Sequence, residues 1–419
     1  MHYENNLAFA QSLDAADELK SFRNYFHIPK MPDGSNTIYF CGNSLGLHAR
    51  KVSEFVIQEL EDWKTFGVEG HFHARNPWLP YHEFLTKNMA AVVGALPHEV
   101  VVMNTLTANL HFMMVSFYRP APERHKILIE WNPFPSDRYA LYSQLRFHGY
   151  DQETGIIEPQ PEAGGALVST EQILNIIEER GHEIALVMMG GVNYYSGQFY
   201  DLDAITKAAH EKGCLVGFDL AHAAGNIPLH LHETGCDFAV WCNYKYLNSG
   251  PGAPAGCFVH ERHAHARLPR FEGWWGNNKS TRFIMGPDFE PIGGIETWQV
   301  SNPPILAMAA VRASLEIFAE AGMQRLRRKS ENLTGYLEWL VEQLPSGRVA
   351  IITPKEPSRR GCQLSLQIKN ADKTLHDKIT KAGVIADWRE PDVIRVAPVP
   401  LYNTFEEVWR FAETLKSCL

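Results

Sequence analysis

Two side chains of opposite charge stand where two neighbouring strands are predicted to end. Asp219 lies near the end of the apolar run at 214–220, and Lys245 follows the apolar run at 236–242. Ligands of open α/β sheets bind beyond the carboxyl ends of the strands, so both side chains are placed where a ligand would bind. A carboxylate among apolar neighbours is costly to bury unless a cation pairs with it. Taken alone, Asp219 has an alternative interpretation as the N-cap of a helix.

The sequence around Lys245 favours a fixed position for its ammonium group over a solvated one. The lysine lies between Tyr244 and Tyr246, and the rigid turn sequence LNSGPGAP follows at 247–254. An acid that pairs with a ring nitrogen and a lysine that binds an aldehyde are the two groups that pyridoxal phosphate requires. The combination of Asp219 and Lys245 therefore predicts a pyridoxal-phosphate enzyme.

Two further segments supply candidate contacts for such a cofactor. In the segment 103–117, Thr105 and Thr107 precede an apolar helical stripe, which places them at a helix N-terminus that favours an anion such as phosphate. In WNPFPSD at 131–137, two prolines hold Phe134 where it could stack on a planar ring. Ordinary helix capping and a turn with a buried aromatic side chain remain the alternatives for these two segments.

The elements that must position these residues alternate between strands and helices. Strands are predicted at 125–130, 184–189, 214–220 and 236–242, and helices at 136–149, opened by Ser136 or Asp137, and at 201–213. Such alternation indicates βαβ units and a mostly parallel sheet with helices on both faces.

The C-terminal part of the chain has a different pattern. Two amphipathic helices follow residue 306, then strands at 348–354, 362–368 and 392–398, and a last helix opened by the capping box of Thr404 and Glu407. We therefore predict three parts: an N-terminal arm (1–55) that joins the small domain, a large domain (56–305) and a small C-terminal α/β domain (306–419).

Composition and charge narrow the class of protein. The 419 residues carry a formal net charge of −9, with 45% hydrophobic and 21% charged residues. These proportions are typical of a globular protein, and the length indicates two domains or one large and one small domain. The mild acidity disfavours nucleic acid as a partner. The densest basic cluster, at 325–329, lies on a helical pattern and is interpreted as a solvated face.

The cysteines and the apolar runs predict the cellular setting. Seven scattered cysteines without a Cys-x-x-Cys motif indicate reduced thiols in the cytoplasm. The first twenty residues lack an apolar signal-peptide core, and the apolar runs fall far short of the ~18 residues of a membrane span, so no membrane partner is expected. His260, His263 and His265 lie close in sequence, but no carboxylate or cysteine completes a site, and no metal is predicted.

These segments together resemble the kynureninase family of pyridoxal-phosphate enzymes. The likeness covers nearly the whole chain and rests on an ordered series of strings: YFCGNSLGL, GVEGH, FPSD, YYSGQ, VGFDLAHAAGN, CNYKYLNSGPG, EGWWG, SNPPIL and IRVAPVPLYNTF. The aspartate and lysine pair is common to fold type I, whereas the series of strings is specific to this one family. The resemblance implies an α/β fold, with a mostly parallel seven-stranded sheet in the large domain and a smaller C-terminal α/β domain.

The resemblance also implies roles for individual residues. Lys245 would bind the cofactor aldehyde, Asp219 would pair with the ring nitrogen, and Tyr244 would donate a proton. The cofactor-binding residues would be Leu106, Thr107, Phe134, Pro135, Ser136, Asp137, Asp219, His222, Tyr244, Lys245, Trp274 and Asn302. The substrate-binding residues would be Ser44, His71, Asn302 and Arg395.

Three further points concern the assembly, the substrate carboxylate and position 190. Trp274 and Asn302 would enter from the partner subunit, which makes the active unit a homodimer. Arg395 would bind the substrate α-carboxylate as a bidentate fork. Some relatives place a serine near the cofactor where this chain has Gly190, so no side-chain contact is assigned to that position.

The implied reaction converts L-kynurenine, 3-hydroxy-L-kynurenine or both, with water, into the matching anthranilate and L-alanine. Lys245 would move the α proton, the γ-carbonyl would take up water, and Tyr244 would protonate the carbon freed by Cβ–Cγ cleavage. We hypothesise that His71 and Asn302 hydrogen-bond a ring 3-hydroxyl and so favour the hydroxylated substrate. The alternative is that His71 bonds Asn302 or backbone and does not recognise the substrate ring.

Two other classes of function remain open from the sequence. A cysteine desulfurase or an aminotransferase would share the fold, but a desulfurase needs a nucleophilic cysteine on a mobile loop and commonly has histidine where this chain has Tyr244. Cys242 precedes Lys245 on the strand and is interpreted as a buried thiol. A non-catalytic ligand sensor would need an attached recognition domain, for which the two catalytic domains leave no room.

Overall fold

The computed structural model describes residues 2–162, 165–345 and 347–419. The strands are β1 (Ile38–Tyr39), β2 (Val100–Met103), β3 (Lys126–Leu128), β4 (Ile156–Ile157), β5 (Ile184–Gly190), β6 (Leu215–Asp219), β7 (Phe238–Trp241), β8 (Ala255–Val259), β9 (Val349–Ile351), β10 (Leu364–Ile368), β11 (Val384–Ile385), β12 (Asp387–Arg389) and β13 (Val393–Val396). The α-helices are α1 (Leu7–Ala16), α2 (Arg50–Phe66), α3 (Gly70–His73), α4 (Glu83–Val93), α5 (Leu106–Phe117), α6 (Pro135–Phe147), α7 (Gln152–Gly155), α8 (Thr170–Arg180), α9 (Leu202–Glu211), α10 (Leu231–Thr234), α11 (Ile305–Ala321), α12 (Met323–Glu342), α13 (Lys373–Lys381) and α14 (Phe405–Cys418).

A seven-stranded sheet forms the centre of the large domain. Its order is β2-β8-β7-β6-β5-β3-β4, and the neighbouring strands pair in parallel except that β8 runs antiparallel to both β2 and β7. The mostly parallel, seven-stranded α/β sheet that was predicted is confirmed. Its topology brings the carboxyl ends of β3, β5, β6 and β7 to one edge.

Helices cover both faces of this sheet, as the apolar strands require. Along β5, Leu186 and Met188 contribute to the core under α5 and α6, whereas Val187 and Met189 contribute to the core under α8 and α9. Successive side chains of a strand point to opposite faces, so a strand covered on both sides must be apolar throughout. Every residue of β5 is buried for this reason.

The predicted helix at 136–149 begins earlier than expected. Phe134 is the N-cap of α6, and Pro135 is its first residue. Opening by Ser136 or Asp137 was therefore wrong, because proline is well suited to the first helical position, where no N–H partner is needed. The capping box predicted at Thr404 is confirmed, since Thr404 and Glu407 exchange side-chain and backbone hydrogen bonds.

The C-terminal residues form a smaller α/β layer. An antiparallel sheet of order β12-β13-β10-β9 shares an apolar core with α12, α13 and α14. The N-terminal segment joins this layer, because β1 pairs with β11, α1 packs on α14, and Asp17 forms a buried ion pair of 2.7 Å with Lys329. The boundary expected at residue 55 falls inside α2, which packs against α11.

Two global expectations concern thiols and membranes. All seven cysteines are free thiols, and Cys242 is buried. None of the helices in the described ranges combines the length and the apolar character that crossing a membrane requires.

Candidate active site

The two residues that opened the sequence argument lie in one cleft. Asp219 is the last residue of β6, and Lys245 lies in the turn that follows β7, the parallel neighbour of β6. The Lys245 Nζ atom is 3.0 Å from Nε2 of His222. The residues that line the cleft are Leu106, Thr107, Glu130, Phe134, Ser136, Asp137, Gly190, Val192, Tyr194, Asp219, Ala221, His222, Tyr244 and Lys245.

Asp219 is held by backbone at the bottom of this cleft. Its Oδ1 accepts a hydrogen bond of 2.7 Å from the backbone N–H of Ala221. The residues that follow Asp219 form a turn rather than a regular helix, so Asp219 is not a helix N-cap. Burial raises the pKa of Asp219, while the Ala221 N–H and the charge of Lys245 oppose that rise. A cation at this point would stabilise the ionised carboxylate.

Asp137 and His222 have buried polar atoms with spare hydrogen-bonding capacity. Oδ1 of Asp137 and Nδ1 of His222 have no hydrogen-bond partner among the described residues. Burial and the neighbouring Asp219 raise the pKa of Asp137 well above its ordinary value. Burial and the charge of Lys245 lower the pKa of His222 well below its ordinary value, so this imidazole is neutral. Buried polar atoms without partners are rare in folded proteins, and a polar ligand would explain them.

The part of the cleft lined by Leu106, Thr107 and Ser136 is suited to an anion. The helices α5 and α6 both begin there, and Oγ1 of Thr107 lies 2.9 Å from Oγ of Ser136. Thr105 is the N-cap of α5 but makes no side-chain capping bond, so capping does not explain this threonine. Free N–H groups and aligned helix dipoles favour a phosphate at this point.

Two aromatic residues flank Lys245. Phe134 is 40% exposed, and its ring centroid lies 5.7 Å from Lys245 Nζ. The buried-aromatic alternative for Phe134 is therefore wrong, because the ring faces the open cleft. Burial raises the pKa of Tyr244 far above its ordinary value, so its hydroxyl carries a proton at neutral pH. The ring and the hydroxyl group are both presented to a ligand beside the lysine.

Arg395 and Ser44 lie next to the cleft and share one partner. The Arg395 guanidinium forms an ion pair with Asp387, whose Oδ2 also accepts a bond of 2.7 Å from Ser44 Oγ. Arg395 also donates to the carbonyl of Tyr194 at 2.5 Å, and the side chain of Tyr194 lines the cleft. The predicted substrate residues Ser44 and Arg395 are thus brought together at its rim.

Three predicted residues do not join the cleft of their own chain. His71 bonds the carbonyl of Val68 at 2.9 Å, Trp274 donates to the carbonyl of Arg282 at 3.1 Å, and Asn302 is exposed. Among the described residues, none of the three has a hydrogen bond to a cleft residue. A bond from His71 to backbone was the expected alternative to a hydrogen bond between His71 and a hydroxyl group of the substrate ring.

Sequence reasoning missed Glu130 and Tyr194, which also line the cleft. Glu130 follows β3 and ends the apolar string KILIE, so the strand-end argument that identified Asp219 also applied here. Its side chain is only 4% exposed. Tyr194 carries no comparable signal, because it lies in a loop whose path the sequence does not indicate.

The cleft fits pyridoxal phosphate by the chemistry of its groups. It combines a lysine for an aldehyde, a buried carboxylate for a ring nitrogen, an exposed aromatic face, and two helix N-termini for a phosphate. The partnerless atoms of Asp137 and His222 lie within the same lining. A larger cavity of about 580 Å³ between the N-terminal segment and the loop after Lys245 has no carboxylate or lysine in its described lining.

The histidine-rich segment at 260–265 is tied into the fold by acids that are distant in sequence. Glu99 Oε1 lies 3.1 Å from Nδ1 of His232 and 3.9 Å from Nδ1 of His260. Asp237 lies 2.8 Å from Nε2 of His263. The sequence spacing did not reveal these carboxylates, because both come from other elements.

Comparison with known proteins agrees with this geometry. The family model for the kynureninase C-terminal domain matches residues 326–415. A protein named kynureninase from Myxococcus xanthus (strain DK1622) is 58% identical to this chain, and the match covers 99% of this chain and 97% of the relative. A protein of the same name from Koribacter versatilis (strain Ellin345) is 55% identical, and the match covers 97% of this chain and 96% of the relative.

Solved structures show the same fold at low sequence identity. A cysteine desulfurase from Thermococcus onnurineus NA1 aligns with a TM-score of 0.74 at 15% identity, covering 93% of this chain and 98% of that one. A C-DES mutant with glycine covalently linked to its PLP cofactor aligns with a TM-score of 0.77 at 16% identity, covering 94% and 98%. The near-complete likeness to proteins named kynureninase, at more than half identity, shows that this chain belongs to the kynureninase family.

Proposed function

We propose that this chain is a pyridoxal 5′-phosphate-dependent hydrolase that cleaves the Cβ–Cγ bond of L-kynurenine, 3-hydroxy-L-kynurenine or both. The products are the matching anthranilate and L-alanine. The observation that carries the proposal is the joint placement of Lys245 and Asp219 in a cleft that ends at two helix N-termini. Membership of the kynureninase family selects this reaction among those the fold supports.

Different residues of the cleft would bind different parts of the cofactor. Lys245 would bind the aldehyde, Asp219 and Asp137 would serve the ring nitrogen, and Phe134 would stack on the ring. The start of α5, at Leu106 and Thr107, and the start of α6, at Pro135 and Ser136, would hold the phosphate. When bound, the cofactor supplies an electron sink for negative charge that develops on the substrate.

Proton transfer is assigned to Lys245 and Tyr244, with His222 beside the lysine. Once the substrate amine has taken its place at the aldehyde, the freed Lys245 Nζ would take the substrate α proton. The neutral imidazole of His222 lies 3.0 Å from this atom. Tyr244 retains its hydroxyl proton across the physiological range and donates it to the carbon freed by cleavage. Such general acid–base assistance accelerates a reaction by about 10²–10⁴-fold.

The substrate α-carboxylate is bound by Arg395. Its guanidinium is buried at the cleft rim, where Asp387 and the Tyr194 carbonyl fix its orientation. A planar guanidinium binds a carboxylate through two parallel hydrogen bonds. Ser44, bonded to the same Asp387, completes this side of the substrate site.

We further propose that the aryl ring is recognised by His71 and Asn302, with a preference for the 3-hydroxylated substrate. Both side chains are polar, and a site that bonds a hydroxyl discriminates strongly against an analogue that lacks it. The His71 bond to the Val68 carbonyl leaves the other ring nitrogen free to bond a ligand. We expect kcat/KM to be higher for 3-hydroxykynurenine, and equal values or a preference for kynurenine would remove this assignment.

The active unit is proposed to be a homodimer with shared sites. Trp274 and Asn302, which have no hydrogen bond to the cleft within the described part of their own chain, serve the site of the partner. Large apolar side chains are exposed in two regions, on α2 and around Trp274, and exposed apolar patches mark interfaces. These side chains are Ile57, Leu60, Trp63, Phe66, Phe271, Trp274, Phe283, Ile284 and Met285.

One paired experiment tests cofactor and reaction together. Absorbance spectra of the wild type and of Lys245→Ala are recorded with pyridoxal phosphate, and alanine is then assayed after either kynurenine is added. We expect a visible band only in the wild type, with alanine and the matching anthranilate formed. A band without alanine would favour a desulfurase or an aminotransferase, and no band at all would exclude the cofactor assignment.

A further inference from the structure

The cleft holds more buried carboxyl groups than its cations can neutralise. Glu130, Asp137 and Asp219 are all buried in its lining, whereas Lys245 is the one lysine among the described lining residues and His222 is neutral. Three anions this close together would repel one another strongly in a low-dielectric site. At least one of the three carboxyl groups must therefore carry a proton at neutral pH.

Glu130 has a distinct structural setting among the three. Its carboxyl group accepts the backbone N–H of Gly190 at the end of β5. The next amide, that of Gly191, donates 2.8 Å to the backbone carbonyl of Asp219. Two consecutive amides thus connect the Glu130 carboxyl to the backbone that carries Asp219.

The glycine at position 190 makes room for this contact. A Cβ atom at Gly190 would lie 2.6 Å from Oε1 and 3.0 Å from Oε2 of Glu130. Such approaches are closer than van der Waals contact, so a side chain at position 190 would displace the Glu130 carboxyl from its present place. The carboxyl group occupies the space that a side chain at this strand end would fill.

We propose that Glu130 is a positioning residue of the cofactor cleft: as a neutral carboxylic acid it fixes the end of β5 at Gly190 and thereby the place of Asp219. The neutral form holds the backbone without adding a second negative charge beside Asp219. The inference rests on the proposed function, because the place of Asp219 matters to catalysis only if pyridoxal phosphate binds.

The charged and titratable groups around Glu130 support its neutral form. Burial raises its pKa to about 8, the Gly190 N–H opposes the rise, and Asp219 and Glu158 add to it. Asp137 and Tyr200 are the other titratable groups that interact with it electrostatically. None of these neighbours is a cation.

Glu158 adds little to this field because its charge is already compensated. Both of its carboxylate oxygens accept 2.9 Å bonds from the guanidinium of Arg138. Asp219 is therefore the main charge that disfavours ionisation of Glu130.

Cofactor affinity separates the neutral-acid role from a charged role. Glu130→Gln keeps an uncharged side chain of the same shape, so we expect its Kd for pyridoxal phosphate at about pH 7 to stay within about threefold of wild type. Glu130→Ala leaves the Gly190 N–H without its partner, and its Kd should rise about tenfold. Equal losses in both variants would show that the charge is needed, and no loss in Glu130→Ala would remove the positioning role.

The contact with Gly190 is tested by a double-mutant cycle. Gly190→Ala should weaken cofactor binding in the wild-type background, because the added Cβ meets the Glu130 carboxyl. In the Glu130→Ala background the same change should cost markedly less, since the obstructing group is gone. Independent effects of the two substitutions would contradict the proposed contact.

The pH dependence of the protein's stability reports the protonation state of Glu130 and can be measured without cofactor. A carboxyl group whose pKa is higher in the folded than in the unfolded chain makes stability fall as pH rises between the two values, here from about 4.5 to about 8. The Tm of Glu130→Gln minus that of the wild type should therefore increase across this range. A difference in Tm that stays constant with pH would contradict the neutral form of Glu130. A wild-type protein that binds no pyridoxal phosphate would refute the proposed function but not the neutral form of Glu130.

Discussion

At the scale of single residues, the sequence predicted which reactive side chains lie at strand ends, but not which residues they pair with. The positions of Asp219 and Lys245 followed from apolar strands that end in a charged residue, and the same logic applies to Glu130. The partner of Arg395 could not be predicted in this way. Asp387 faces Arg395 across the antiparallel pair of β12 and β13, and that register depends on a connection whose geometry the sequence does not specify.

Asp219→Asn tests the charge of the carboxylate that faces the ring nitrogen. Asparagine can still accept the Ala221 N–H at the same place, but it cannot carry a negative charge. We expect the visible band to persist, because Lys245 is intact, and kcat to fall by about 10²–10³-fold, as is typical when one electrostatic stabiliser is lost. Asp377→Asn on the exposed side of α13 is the control and should retain wild-type kcat. Unchanged kcat in Asp219→Asn would contradict its role.

At the scale of secondary structure, the elements were predicted more reliably than the contacts between them. The four strands and two helices predicted in the large domain lie where the hydrophobic pattern placed them, with β3, β6 and β7 shorter than expected and β5 one residue longer. That α5 and α6 begin side by side was not predictable, because the meeting of Thr107 and Ser136 depends on how both helices pack on the sheet. Periodicity shows which face of an element is buried, but not which element covers it.

The loop before α2 is packed tightly against the turn that carries Lys245. The Gly46 N–H donates 2.8 Å to the Tyr244 carbonyl, and a Cβ atom at Gly46 would lie 2.3 Å from the Lys245 carbonyl oxygen. Gly46→Ala must therefore displace the turn, at a cost of about 1–3 kcal/mol. We expect a lower Tm and at least about tenfold weaker cofactor binding. Gly286→Ala, where a Cβ meets nothing within 4 Å, is the matched control.

Loss of Tm alone in Gly46→Ala, with normal cofactor affinity, would show that the turn tolerates displacement. Loss of affinity in the Gly286→Ala control as well would make the effect nonspecific. Spectrophotometric titration with pyridoxal phosphate and thermal unfolding of the same samples provide both quantities.

At the scale of the whole molecule, the fold of one chain brings most, but not all, of the predicted site residues together. The N-terminal segment and the C-terminal layer share β1–β11 pairing, which brings Ser44 to Arg395 through Asp387. His71, Trp274 and Asn302 lie apart from these residues, and the proposed homodimer would cover the exposed apolar side chains near Trp274. Quaternary contacts leave no local signal in a sequence, so only the family resemblance predicted them.

Complementation between two inactive variants tests whether the sites are shared. Lys245→Ala and Asn302→Ala are each expected to be inactive or nearly so as homodimers. If Asn302 serves the partner's site, a mixed dimer has one site with both substitutions and one site that is wholly wild type. Random mixing by co-refolding makes half of the dimers mixed, so activity should return to about a quarter of the wild-type value. If each site is built from one chain, every site keeps one substitution and mixing restores nothing; mixing Lys245→Ala with Asp219→Asn, two residues of the same cleft, is the control that should stay inactive.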